Sequence, residues 1–214
     1  MKILGIIQAR LGSTRCPGKV MREVKGKPMI GYMLDRVCCS RTLDDLVVAL
    51  PKVDYGSKLH EYVASRGIAV YAGGEENDLC ERFHGVLAMY PEATAFVRLC
   101  GDSPMIDPQM IDDIVDSYKN LNCGFLSNAG LAMIPKGQHV EICAAKDYHN
   151  ISKNCLPEDR EHAGFPWVYR KIAETSLAVD TEQDFLRFET AIGRMTHDHV
   201  DYSWPECVNL YARS

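Results

Sequence analysis

Two carboxylates, each at the end of a short apolar run, and one loop rich in cations are the groups in this chain with chemistry to offer. The loop is QARLGSTRCPGK, residues 8–19, which carries Arg10, Arg15 and Lys19 among Gly12, Ser13, Thr14 and Gly18. It leaves the apolar run Ile3 to Ile7, which reads as a buried strand. Open α/β sheets bind ligands beyond the carboxyl ends of their strands. Glycines let backbone N–H groups approach phosphate oxygens, Arg forks onto two oxygens, and Lys acts as a point charge. The stretch reads as a polyphosphate cradle, against the plainer reading of a solvated basic loop. It is no P-loop, because five residues separate Gly12 from Gly18 and Val20 follows Lys19.

The first carboxylate lies in LCGDSPMIDP, residues 99–108. Asp102 follows a strand and a glycine at the ligand-binding edge, where it either holds Mg2+ beside phosphates or merely turns the chain. Asp107, before Pro108, reads as the N-cap of the next helix. The second lies in AVDTEQDF, residues 178–185. Asp180 is either a second metal ligand or a helix cap, and local sequence favours the cap. Asp184 reads as support for the same helix start.

These stretches closely resemble the cytidylyltransferases that activate acidic sugars, including the enzymes for KDO and neuraminic-type acids. The resemblance is nearest to the spore-coat polysaccharide biosynthesis protein F group, whose first signature runs roughly QAR-x-x-STR-L-PGK. Cys16 stands where Leu is usual, at a position expected to pack inward. The resemblance runs from Lys2 to about Ile192. It implies a nucleoside-diphosphate-sugar-transferase-like fold, CTP as donor, Mg2+ as cofactor and an acidic sugar as acceptor. It implies that Arg10, Gly12, Ser13, Arg15 and Lys19 line the triphosphate, with the backbone of Gln8 and Ala9 beside the base. It places Asp102 and Asp180 on the metal, and so reverses the reading of Asp180 as a cap. GGEENDLCERF, residues 73–83, is similar to a family segment set against base and ribose, which makes Asp78 and Arg82 candidates for nucleotide recognition. The alternative is a surface ion pair of those two residues. PKGQHVEIC, residues 135–143, is similar to a family segment of the sugar pocket; it keeps Glu141, a candidate to bind the acceptor, but has Gln138 and His139 in place of Leu and Asp, which puts that part of the pocket in doubt. DREHA, residues 159–163, offers Arg160 and His162 to the acceptor. Family members often dimerise through an arm in this region, where Trp167 and Tyr169 are either such contacts or core.

The elements that must position these groups alternate along the chain. Strands are predicted at Ile3–Ile7, Leu46–Leu50, Ile68–Tyr71 and Ala95–Cys100, and helices at Met29–Cys39, Tyr55–Arg66, Asp78–Met89 and Pro108–Lys119. That rhythm predicts a three-layer, Rossmann-like α/β/α domain over residues 1–214, with a mixed, mostly parallel sheet. After about Asn120 the rhythm loosens. Strands are expected at His139–Ala144 and Leu177–Val179, a helix at Thr181–Ile192, and an arm or insertion over roughly 134–174 for acceptor binding and dimerisation.

Composition narrows the classes. The net charge of -5 in 214 residues argues against a general nucleic-acid binder, whereas basic residues gathered near the start suit a small anion. No stretch approaches the ~20 apolar residues of a membrane helix. Nine cysteines, with no CxxC pair, read as buried, reduced thiols of a cytoplasmic protein. His197, Asp198 and His199 superficially suggest a metal tripod but read better as a solvated turn. The function expected is CMP transfer from CTP to an acidic sugar with release of pyrophosphate, in surface or spore-coat polysaccharide biosynthesis. A glycosyltransferase of related fold is the second reading, weakened because Asp102-Ser103-Pro104 is not an Asp-x-Asp motif. A non-catalytic nucleotide-binding protein is the third, with Gln138 and His139 as its foothold.

Overall fold

The computed structural model describes residues 1–13, 15–121, 123–129, 131, 133–155, 157–165 and 177–212. β1 (Ile3–Gln8) occupies the middle of the main sheet, and its alternation of side chains sets up two cores. Ile3 and Ile7 face one core, and Leu4 and Ile6 face the other. A short hairpin, β2 (Glu23–Val24) with β3 (Lys27–Pro28), precedes α1 (Met29–Val37). There follow β4 (Asp45–Leu50), α2 (Lys58–Ser65), β5 (Ala69–Ala72), α3 (Leu79–Met89), β6 (Ala95–Cys100) and α4 (Pro108–Leu121). The remainder supplies β7 (Phe125–Ser127), β8 (Glu141–Ala144), α5 (Ala145–Asn154), α6 (Glu182–Arg194) and α7 (Trp204–Ala212).

The strand order is β5-β4-β1-β6-β8-β7. β5, β4, β1 and β6 run parallel, and β8 pairs antiparallel with both β6 and β7. Buried residues of α1, α2, α4, α6 and α7 join the core on one face, and those of α3 and α5 join the other. This is the mixed, mostly parallel three-layer sheet that the sequence predicts. Parallel strands need covered faces, which explains their near-continuous Val, Ile and Leu runs.

Several expectations need correcting. α2 starts at Lys58 rather than Tyr55, because Ser57 caps it by accepting from the His60 N–H. Leu177–Val179 is no strand. Its N–H groups go singly to other segments, Leu177 to the Lys136 carbonyl at 2.7 Å and Val179 to the Asp102 carbonyl at 2.8 Å. The cysteines are not uniformly buried: all nine are free, but Cys38 and Cys39 are exposed. His199 is not solvated. It is buried, with Nε2 at 3.3 Å from Asp35 Oδ2 and its ring on Tyr32, while His197 stacks on Tyr202. Among the described residues no group of three or more His, Cys, Asp or Glu is arranged to hold a metal ion. Asp107 does serve its helix start, accepting from the Gln109 N–H at 2.9 Å, and it also anchors the Trp204 N–H at 2.8 Å. Trp167 and Tyr169 lie outside the described residues, and within the expected arm Glu141–Ala144 is a strand of the main sheet.

Candidate active site

β1 and β6 end side by side, with Gln8 opposite Cys100. The chain after β6 then turns against β1, and the Gly101 N–H donates to the Gln8 carbonyl at 2.8 Å. A Cβ on residue 101 would lie 2.7 Å from that oxygen and 2.9 Å from the Ala9 Cβ, so only glycine fits. The consequence is placement: Asp102, the next residue, is delivered to the carboxyl edge of the sheet beside the cationic loop.

The loop is folded onto itself. The Gly18 N–H donates to the Leu11 carbonyl, the Leu11 N–H donates to Asp54 Oδ2, and Gly18 adopts φ +63. Ser13 Oγ accepts from the Cys16 N–H. Cys16 is fully buried, as its inward-facing position suggested. These contacts hold Lys19 at the start of a 3-10 turn (Lys19–Met21) with its side chain buried.

Lys19 joins the three stretches. Its ammonium donates to the Val179 carbonyl and lies 3.2 Å from Asp102 Oδ2 and 3.6 Å from Asp180 Oδ1. Asp180 also meets Arg15 at 3.0 Å and Lys136 at 3.2 Å. Burial would raise the Asp180 pKa, but Lys19, then Lys136 and Arg15, outweigh it and hold the carboxyl below its ordinary value. Asp180 is not the helix cap. Thr181 is, in a reciprocal box with Asp184, whose carboxylate also accepts from the Asp180 N–H. The local sequence reading of Asp180 fails because the neighbouring Thr takes the cap, leaving the Asp180 side chain to the three cations.

The floor of the cleft is different. Arg98 on β6 and Glu141 on β8 form a buried ion pair, and Arg98 Nε donates to Gln8 Oε1 at 2.8 Å. Glu141 Oε1 is buried without a partner among the described residues. Gln138 is fully buried and structural: its Nε2 donates to the Met105 carbonyl at 2.6 Å and its Oε1 accepts from the Asp107 N–H. It fastens the Asp102–Asp107 segment instead of lining a sugar pocket. His139 does face the cleft, where burial lowers its pKa.

The cleft encloses about 410 Å³. Gln8, Ala9, Arg10, Gly12, Ser13, Arg15, Lys19, Arg82, Asp102, Glu141, His162 and Asp180 all line it. Asp78 and Arg160 do not. Asp78 caps α3 and takes a two-pronged contact from Arg160, with both N–O distances 2.9 Å. The alternative reading, a surface ion pair of Asp78 with Arg82, is not formed. Arg82 is buried and donates to the Glu75 and Glu76 carbonyls, and burial, then Arg10, lowers its pKa to about 10. Arg10 itself reaches Asn77 at 2.8 Å. Sequence reasoning missed Arg98 and Lys136. Lys136 sits in a quoted motif, but its partner Asp180 lies 44 positions on.

A family model described as cytidylyltransferase matches residues 4–203. The chain belongs to the cytidylyltransferase family. This cytidylyltransferase is 29% identical to the spore coat polysaccharide biosynthesis protein SpsF of Bacillus subtilis, over 99% of this chain and 95% of that one. It is 26% identical to the 8-amino-3,8-dideoxy-manno-octulosonate cytidylyltransferase of Shewanella frigidimarina, over 80% and 73% of the respective chains. A solved cytidylyltransferase from Leptospira borgpetersenii superposes with a TM-score of 0.88 at 28% identity, covering all of this chain and 94% of that one. No helix of the cytidylyltransferase is long and apolar enough to cross a membrane, among the described residues.

Proposed function

We propose that this cytidylyltransferase transfers CMP from CTP to an acidic sugar of the ulosonic or nonulosonic type and releases pyrophosphate. The observation that carries the reading is the meeting of Lys19, Asp102 and Asp180 at the carboxyl edge of the sheet, beside the Gln8–Lys19 loop. The octulosonate cytidylyltransferase activity named for the Shewanella relative supports the acidic-sugar class, and the spore coat polysaccharide biosynthesis named for the Bacillus relative supports a place in surface polysaccharide synthesis.

Asp102 and Asp180 are hard oxygen donors from two separate segments, which fits a cation that takes one or two carboxylates and completes its shell with phosphate and water. We assign Mg2+ to them. Held by Asp102 and Asp180, Mg2+ would supply charge neutralisation to the phosphates and Lewis acidity toward the attacking hydroxyl. The chain's own residues do the rest. Nucleotidyl transfer is mostly positioning and charge neutralisation, so no side-chain nucleophile is needed. Lys19 keeps the two carboxylates together despite their mutual repulsion. Arg15, with its head at the cleft mouth, and Lys19 steady the leaving pyrophosphate. Arg10, Gly12 and Ser13 border the triphosphate, with Gln8, Ala9 and Arg82 on the nucleoside side. Asp78 supports that side by capping α3 and holding Arg160, which in turn carries the helix of His162. Glu141 and His162 face the acceptor. The protein works in the cytoplasm as a homodimer, with residues 134–174 contributing the dimer contact.

The test is calorimetry with CTP, UTP, GTP and ATP in the presence of Mg2+, followed by a pyrophosphate-release screen over acidic sugars. The reading expects selective CTP binding that EDTA removes, and pyrophosphate only when an acidic sugar is added. Binding of UDP-sugars with CTP ignored would overturn it, as would CTP binding without turnover on any acidic sugar.

A further inference from the structure

Away from the cleft's chemistry, α3 and the end of α5 bring two thiols together. Cys80 Sγ and Cys155 Sγ lie 3.8 Å apart, from positions 75 residues distant in sequence. Cys80 is fully buried in the first turn of α3, and Cys155 is partly exposed just after α5. Both flank the cleft wall: α3 carries Arg82, and the 3-10 helix Pro157–His162 that follows Cys155 carries His162. The Arg160 guanidinium lies beside the pair, and its Nη1 shares the Ser152 carbonyl with Cys155 Sγ.

We propose that Cys80 and Cys155 are a thiol-oxidation site, closed to an intramolecular disulfide by a small disulfide such as oxidised glutathione. Contact between the sulfurs is already made, so closure needs a movement of under about 2 Å to reach the ~2.05 Å bond. Access sets the order of events. Burial, then the neighbouring Cys155, pushes the Cys80 thiol up to about 12, so Cys80 is the poorer first nucleophile. The Cys155 thiolate attacks one sulfur of glutathione disulfide, and one glutathione departs as thiolate. Cys80 then attacks the Cys155 sulfur of the mixed disulfide. Its proton passes to solvent or to the second departing glutathione. Two protein thiols are oxidised and one small disulfide is reduced to two thiols. The new bond ties α3 to the segment bearing His162, reinforcing the Arg160 to Asp78 contact that already bridges them.

The experiment uses the full chain equilibrated with reduced or oxidised glutathione, quenched by alkylation and mapped by peptide mass spectrometry. The expected result is alkylation falling from nine thiols to seven, with one peptide pair linked through Cys80 and Cys155. Oxidation should raise the melting temperature by about 5–10 °C, since a long loop is closed in the unfolded chain. The Cys155→Ser variant should lose both the link and the rise. The proposal is overturned if Cys80 and Cys155 both remain alkylatable at equilibrium, if either stays as a stable glutathione adduct, or if Cys38 or Cys39 supplies the partner. Because the wild-type map alone decides, a variant that fails to fold leaves the test intact, and none of its outcomes depends on the nucleotide assignments.

Discussion

The mouth and the floor of the cleft are both built from ion pairs, yet they are built for opposite purposes. At the mouth, Asp180 faces two exposed cations, Arg15 and Lys136, and the buried Lys19, and its contacts to Lys136 and Lys19 measure 3.2 and 3.6 Å. Arg15 and Lys136 there have side chains 65% and 57% exposed, so either leaves its carboxylate at little cost. At the floor, Arg98 and Glu141 are 2% and 5% exposed, and each stands on a strand of the sheet. Breaking that pair strands a charge away from water. The difference teaches how to tell an exchangeable ion pair from a fixed one: it lies in the exposure and the flexibility of the partners, not in their number.

The largest effect expected is on the floor. Glu141→Ala should lower unfolding stability by about 3–5 kcal/mol, because Arg98 is left buried with its carboxylate partner gone. Chemical denaturation measures this, and a loss below about 1 kcal/mol would make the floor as exchangeable as the mouth. Asp102→Asn should do the reverse. Turnover should fall by about 10²–10³-fold or more, with CTP affinity changed much less and stability nearly kept. Near-normal turnover in that variant would remove Asp102 from the site. Lys19→Ala comes next. It should weaken CTP binding by roughly 10- to 100-fold, as loss of a charged contact does. Unchanged affinity and rate would refute the cradle.

How much of this contrast was legible in the sequence follows from how far apart the partners are. The four parallel strands β1, β4, β5 and β6 were visible because each is a local apolar run, and three of them end at a turn residue, Pro51 after β4, Gly73 after β5 and Gly101 after β6. β7 was not, being three residues long, and neither was α5. Its sequence is polar, its N-cap Ala144 gives no side-chain signal, and only Tyr148 and Ser152 are buried. The mouth was partly legible, since Lys19, Asp102 and Asp180 sit in short distinctive motifs. The floor was half hidden. Arg98 reads as an interruption of an apolar strand, and its partner on β8 lies 43 residues later. Gln138, read as a doubtful pocket residue, is a buried bridge to Met105 and Asp107, because its two hydrogen bonds reach across 31 to 33 positions.

The mouth also has a pH signature. The Asp180 pKa is depressed by Lys19, Lys136 and Arg15 against its burial, so its ionised form is favoured in the folded state. A depressed carboxyl contributes stability that is complete above the unfolded value near ~3.9 and is lost as pH falls through the lower folded value. Asp112 behaves alike for a structural reason: burial is outweighed by Ser40, Thr42 and Arg41 donating to it. Acid unfolding followed by circular dichroism should therefore steepen below about pH 4. Asp180→Asn should flatten that limb, and an unaltered acid limb in the variant would deny the three cations their role.

The smallest effect separates what positions Asp180 from what merely stands next to it. Thr181 caps α6, accepting from the Asp184 N–H while Asp184 accepts from the Thr181 N–H and hydroxyl. Thr181→Ala removes the cap oxygen and should cost about 1 kcal/mol of stability. The Asp180 side chain takes no part in that cap, and its backbone N–H can still reach Asp184. If the cations hold the carboxylate in place, CTP affinity in Thr181→Ala should move by less than about threefold, well under a full ~1.4 kcal/mol decade. A tenfold loss would mean that the rigid helix start sets the position of Asp180. The mouth would then share the fixed character of the floor, and Lys19, Arg15 and Lys136 would be followers of the carboxylate rather than its holders.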